Sequence, residues 1–178
     1  MLLFCPLIFL NSNQFEGKVP SFLLQASCLL LNENKFSYLP SLCDQRTATI
    51  LMILDLSNNA IEGQLPDCWN SVHNLRILDL SHNKLSGKIP ESMGSLVQLN
   101  ALVLRNNHLM GEFPSTLKNC SYLVVLDVSG NILSGSIPSW IGESMNQLVI
   151  LNMQQNNFSG SIPNDLCNLK HLQLLDLS

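Results

Sequence analysis

The sequence predicts an α/β solenoid. Its coils stack as a right-handed superhelix, with a parallel β-sheet on the concave face and irregular or 3-10 segments on the convex side. Three observations carry this. Asparagines recur at nearly constant spacing: Asn13, Asn34, Asn59, Asn83, Asn107, Asn131 and Asn156 are separated by 21, 25, 24, 24, 24 and 25 residues. Aliphatic residues stand three and five positions before most of these asparagines. In most copies a glycine follows four positions later and a proline seven positions later. A fixed period in this range marks stacked supersecondary units that share a core.

The aliphatic pairs are Leu54 and Leu56, Leu78 and Leu80, Leu102 and Leu104, Leu126 and Val128, Leu151 and Met153. Alternation of this kind makes a short strand with one buried face. One such strand cannot close a core, but stacking it on the next copy buries a continuous apolar column.

Each asparagine falls where the chain leaves its strand. A carboxamide both donates and accepts, so it can satisfy turn backbone that would otherwise be buried unpaired. Seven in phase predict a structural ladder.

Gly17, Gly63, Gly87, Gly111, Gly135 and Gly160 suit a backbone angle or a close approach that a side chain forbids. Pro20, Pro66, Pro90, Pro114, Pro138 and Pro163 then fix the direction of the return path. Leucines such as Leu96, Leu99, Leu169 and Leu172 build the outer wall. The second copy departs from the pattern: Tyr38 replaces the glycine and Pro40 arrives one residue early. That copy is expected to stack with a local irregularity.

With 178 residues the chain holds about seven full coils and the start of an eighth, read as one domain over 1–178. It is 46% apolar and 12% charged, which excludes a disordered chain. The net charge of −4 and the lack of a basic cluster exclude nucleic acid as a partner. No apolar run is long enough to span a bilayer. Met1–Leu10 resembles the apolar part of a signal peptide but lacks a basic leader, and the repeat register claims Ile8 and Leu10. The expectation is a first coil, with no clear signal peptide. Ser178 stops inside Leu175-Asp176-Leu177-Ser178, and neither terminal coil has a polar cap. The chain is therefore expected to be a piece of a longer protein.

Six cysteines occur without metal-ligand spacing. Cys43 and Cys68 both lie nine positions after their asparagines, which places them one above the other in adjacent coils, about 5 Å apart. A Cys43–Cys68 disulfide fits that separation. Cys120 takes a leucine position and reads as a core residue. Cys5, Cys28 and Cys167 share no phase with a partner. Asn119-Cys120-Ser121 and Asn157-Phe158-Ser159 are glycosylation sequons. Together with the bridge they favour an oxidising secretory route.

No catalytic constellation emerges, and neither metal nor cofactor is expected. Gly87-Lys88 lacks the earlier glycine of a phosphate loop, since His82 stands there. No G-x-S-x-G elbow or H-E-x-x-H pair is present. His73, His82, His108 and His171 are scattered and read as surface residues. The useful surface is the outward face of the strands, whose residues vary while the frame stays fixed. Its candidates are Arg76, Asp79, His82, Val103, Arg105, Asn106, Asp127, Asn152, Gln154 and Gln155. Asp55, Asp79, Asp127 and Asp176 share one phase, which also fits a role in the repeat frame.

The pattern L-x-x-L-x-L-x-x-N-x-L-x-G-x-I-P, clearest in Leu78 to Pro90, resembles the plant-specific class of leucine-rich repeats. Three phrases are similar to the later ectodomain repeats of plant receptor-like proteins of the elicitor and leaf-mould-resistance type. They are Leu65-Pro66-Asp67-Cys68-Trp69, Leu104-Arg105-Asn106-Asn107 and Ile137-Pro138-Ser139-Trp140-Ile141-Gly142-Glu143. The resemblance implies a second short strand at Gly-x-Ile-Pro and a location outside the plasma membrane. It implies a non-catalytic module that recognises a protein, peptide or glycan elicitor in plant defence and signals through partner receptor kinases. Two alternatives share the pattern: an inhibitor of pathogen cell-wall hydrolases, and a piece of a receptor kinase ectodomain.

Overall fold

A computed structural model describes residues 6–40, 42–43 and 50–178. Cys5 and the first half of the signal-like start lie outside these residues. Eight three-residue strands form one parallel sheet in strict chain order: Leu7–Phe9, Cys28–Leu30, Ile53–Asp55, Ile77–Asp79, Ala101–Val103, Val125–Asp127, Ile150–Asn152 and Leu174–Asp176. The register puts like on like. Leu54 faces Leu78, Leu78 faces Leu102, Leu102 faces Leu126, and Leu126 faces Leu151. All of these leucines are buried, as are Leu56, Leu80, Leu104 and Val128 two residues on. They belong to one apolar cluster running from Val19 to Leu169. Non-directional burial of this aliphatic column is the main force holding the coils together.

The asparagine side chains stitch coil to coil. Asn83 Nδ2 donates to Leu56 O of the preceding coil (2.9 Å) and to Leu80 O of its own (3.1 Å). Its Oδ1 accepts from Ile61 N at 2.9 Å. Asn34, Asn59, Asn107, Asn131 and Asn156 repeat the arrangement, accepting from Phe15, Phe36, Leu85, Leu109 and Leu133. Asn13 donates only within its own coil, to Leu10 and Asn11.

The residue before each ladder asparagine is left-handed. Ser12, Glu33, Asn58, His82, Asn106 and Gln155 have φ of 53° to 57°, and Gly130 has 63°. For a residue with a Cβ this costs roughly 1–2 kcal/mol, which the satisfied asparagine network must offset. The sequence hinted at it only through Asn58, Asn106 and Gly130, residue types that tolerate this region.

A second ladder follows the turn. Glu62–Gln64, Lys84–Gly87, His108–Gly111, Ile132–Gly135 and Asn157–Phe158 form a five-stranded parallel sheet, while Glu16–Lys18 pairs separately with Lys35–Tyr38. The interruption falls at the irregular second coil. The glycines of other coils have φ of 76° to 91° at this position, a value Tyr38 does not adopt. The register slips between Gly17 and Lys18 as a result. The Tyr38 hydroxyl reaches across the break to Glu62 Oε1 at 3.1 Å.

The return path is mostly 3-10: Ser21–Gln25, Trp69–Val72, Glu91–Ser95, Ser115–Asn119 and Asn164–Asn168. One coil differs from the expected irregular or 3-10 wall, since Trp140–Ser144 is a short α-helix. Its Met145 N donates to Ile141 O, a four-residue step. The coil from Asn131 to Asn156 holds 25 residues rather than 24, and the additional residue gives room for the wider turn. No helix among the described residues is long and apolar enough to cross a membrane.

Candidate ligand-recognition surface

The outward face of the eight-stranded sheet is built from rows, because every strand presents the same phases. The first row is aliphatic, with Ile53, Ile77, Ala101, Val125 and Ile150 in register. The second row carries the aspartates, and the structure ties them to the frame. Asp55 Oδ1 accepts from Ser57 N (2.9 Å) and Ser57 Oγ (2.7 Å). Asp79 accepts from Ser81 N at 2.8 Å. Asp127 is buried and accepts from Ser129 N (3.0 Å) and Ser129 Oγ (2.6 Å). Asp176 holds Ser178 in the same way. Asn152 imitates them, accepting from Gln154 N at 3.3 Å. The Asp-x-Ser phrase is thus a turn-closing device that fixes the strand exit. Val103 stands in the same row, half-buried.

This row also shapes local electrostatics. Burial pushes the Asp55 carboxyl above the ordinary carboxylate value, and the charges of Asp79 and Glu33 push the same way. The hydrogen bonds from Ser57 oppose the shift.

The other candidates are less committed. Arg76 is exposed at the entry to its strand, and Arg105 is exposed just beyond the end of the next. The Asn106 carboxamide lies 3.2 Å from the His82 ring, so these two act as a unit. Gly130 makes room for that unit, because a Cβ there would collide with Asn106 Oδ1. Gln155 is exposed and Gln154 half-buried at the corresponding exit in a later coil. The structure therefore gathers Arg105, Asn106 and His82 at one border of the sheet, with Gln154 and Gln155 further along it. Arg76 lies at the opposite border. Among the described residues, no group of three or more His, Cys, Asp or Glu side chains is placed to hold a metal.

A disulfide joins Cys43 to Cys68, with Cα atoms 5.3 Å apart. Nearby, the Ser71 hydroxyl donates to Cys68 O at 2.8 Å and also bonds Leu42 O. Cys120 is fully buried, and burial pushes its thiol up to about 11. Cys28 is half-buried and Cys167 exposed. The sequon residues Asn119 and Asn157 are both exposed, and neither lies on the eight-stranded sheet.

Apart from Arg76, sequence reading passed over the border of the sheet where the strands begin. Two clefts open there, of about 450 and 430 Å³. The signal was present in the coil phases of His73, Arg76, Lys170 and His171, but only the stacking brings these coils side by side.

Comparison with known proteins agrees with this architecture. Residues 49–109 match one family model described as leucine rich repeat, and residues 122–144 and 147–169 match a second of the same description. The chain belongs to the leucine-rich repeat family. Its similarities fall among plant receptors. It is 43% identical over 70 residues to the receptor-like protein EIX2 of Solanum lycopersicum, a stretch that is 39% of this chain and 7% of that protein. Among solved structures, it resembles the plant peptide hormone receptor RGFR1 in complex with RGF2, with a TM-score of 0.86 and 30% identity, over 94% of this chain and 27% of the receptor. It also resembles PEPR1 in the PEPR1–AtPEP1 structure, with a TM-score of 0.86 and 34% identity, over 96% of this chain and 24% of that one. The Arabidopsis receptor kinase HAESA, in complex with the peptide hormone IDA and the co-receptor SERK1, gives a TM-score of 0.82 and 34% identity, over 94% of this chain and 28% of that one. The chain thus spans well under two thirds of each of these relatives.

Proposed function

We propose that the chain is a non-catalytic recognition module of a plant cell-surface receptor-like protein, working on the extracellular side of the plasma membrane in defence signalling. The observation that carries this reading is the likeness, over nearly the whole chain, to structures described as a peptide hormone receptor and as a receptor kinase in complex with a peptide hormone. The defence assignment rests on the resemblance of Leu65–Trp69, Leu104–Asn107 and Ile137–Glu143 to receptor-like proteins of the elicitor type. The ligand is a protein, peptide or glycan elicitor, and partner receptor kinases carry the signal onward. The contact residues are drawn from the sheet face and its borders: Arg76, Asp79, His82, Arg105, Asn106, Asp127, Asn152, Gln154 and Gln155. Asp79 and Asp127 act chiefly by holding their turns, given their bonds to Ser81 and Ser129. Glycans at Asn119 and Asn157 would leave the sheet face uncovered.

A second reading, a piece of a receptor kinase ectodomain, draws on the likeness to HAESA and to the ectodomain of the receptor kinase SOBIR1. Both readings make the same use of the surface.

The test is binding of size-fractionated protein, peptide and glycan pools from fungal culture filtrate to the immobilised chain. The expected result is saturable binding that weakens in Arg105→Glu while the circular dichroism spectrum is unchanged. Inhibition of a cell-wall hydrolase in those pools, without such binding, would favour the inhibitor alternative instead.

A further inference from the structure

We infer that the strand-entry border of the eight-stranded sheet is a docking edge for an extended acidic peptide that anchors two apolar side chains about six residues apart. This rests on the reading of the chain as a recognition module, and it names the ligand class and the place.

The first observation is charge. The chain carries 13 acidic residues against 9 Lys and Arg. Yet the segments that build this border in successive coils, residues 71–76, 95–100, 119–124, 144–149 and 168–173, contain no Asp or Glu at all. Their charged residues are Arg76 and Lys170, accompanied by His73 and His171, and all four side chains are exposed. A basic strip on an acidic molecule draws carboxylates to one edge and discourages them elsewhere. An arginine can also hold a carboxylate through two parallel hydrogen bonds.

The second observation is shape. The two clefts sit on this border and are built alike. The first, of about 450 Å³, has Ile50, Met52 and Val97 as apolar lining beside His73 and Arg76. The second, of about 430 Å³, has Val124, Val149 and Leu172 beside Lys170 and His171. Between them stands the exposed Tyr122, whose carbonyl accepts from Asn100 Nδ2 at 3.2 Å. Met52 and Val149, the middle residues of the two linings, occupy the same phase, seven positions before Asn59 and Asn156, four coils apart. At a strand spacing of about 4.8 Å, four coils separate the clefts by about 19 Å. An extended peptide rises about 3.3 Å per residue, so about six residues cover that span. An even number returns both anchoring side chains to the same side of the peptide. The intervening residues, facing either way, carry the carboxylates.

Fluorescence anisotropy of labelled synthetic peptides tests this directly with the full chain. The probe is a peptide of about eleven residues in a Glu/Ser background, with leucines about six positions apart. One comparator moves the leucines one position closer, and a second replaces every Glu by Lys. The acidic peptide with the wider, even spacing is expected to bind best. Arg76→Glu and Lys170→Glu are each expected to weaken it by about tenfold. Lys84→Glu, on the second ladder, is expected to change it by less than about twofold. Equal weakening by all three variants would overturn the edge assignment in favour of diffuse electrostatics. Weakening by Arg105→Glu but not by Arg76→Glu or Lys170→Glu would overturn the edge and leave peptide recognition standing on the other border. No binding by any peptide, with the fold intact by circular dichroism, would overturn peptide recognition and the edge together.

Discussion

Asn107 hangs from the coil before its own: its Nδ2 donates to the Leu80 carbonyl at 3.0 Å while reaching Leu104 O at the same distance. Its Oδ1 also accepts from Leu85 N. Its Nδ2 also reaches Arg105 O at 3.3 Å, so deleting this carboxamide strips a partner from four backbone groups in two coils. Asn107→Ala is expected to lower stability by roughly 2–4 kcal/mol, since each buried group left unpaired costs about 1–3. Asn13→Ala removes bonds only within an exposed first coil and is expected to cost less than about 1 kcal/mol. Urea denaturation of the two variants checks the gradient.

Gly94 lies flush against the next coil, where a Cβ would run into the Thr116 carbonyl and its Cβ. That neighbour is backbone and cannot swing aside. Gly94→Ala is therefore expected to destabilise by about 1–3 kcal/mol, through overpacking rather than through backbone angle. Gly142, pressed against the Asp165 carbonyl, should behave alike in the same denaturation assay.

Asp55 offers a pH test. Its carboxyl is raised above 3.8, chiefly by burial. A raised carboxyl binds its proton more tightly in the folded state, so stability falls as pH rises through the interval above 3.8. The cost is fully present once pH exceeds the folded value. It vanishes below the unfolded value, where both states are protonated. Asp55→Asn keeps an oxygen for Ser57 and drops the charge. The melting temperature of the variant relative to the parent is expected to be higher at pH 7 than at pH 3. The same difference at both values would count against burial as the cause.

The thiols should separate by reactivity. Burial holds the Cys120 thiol at about 11 and shields it fully, while Cys167 is exposed. Iodoacetamide at pH 8 is expected to label Cys167 in the native chain, and Cys120 only after denaturation. Peptide mass mapping reads the order.

Much of the frame was legible because each coil repeats one physical solution. The phase of Leu78 and Leu80 foretold their burial, and the shared phase of Cys43 and Cys68 foretold their proximity. The oddity at Tyr38 announced the break in the second ladder. Two features were hidden. The left-handed residue before each asparagine is Ser, Glu, Asn, His, Gln or Gly, so residue type alone did not mark the position in every coil. The contacts of Gly94 and Gly142 lie between coils, at positions where the repeat pattern puts no fixed glycine. The surface was least legible. Asp79 and Arg105 both stood among the candidates, and the shared phase of the aspartates left open a role in the frame; Asp79 closes a turn on Ser81 while Arg105 stands exposed. The two clefts arise from residues in three or more coils, and no single repeat spells either of them.

Successive coils share one leucine-filled interior under a parallel sheet, and residue-resolved hydrogen exchange measures how tightly. The amides of Leu56, Leu80, Leu104 and Val128 donate to Asp79, Val103, Asp127 and Asn152 of the following strand. These four amides are expected to be strongly and comparably protected and to lose protection together in Asn107→Ala. Exchange of these amides at unprotected rates in the intact chain would contradict a shared interior.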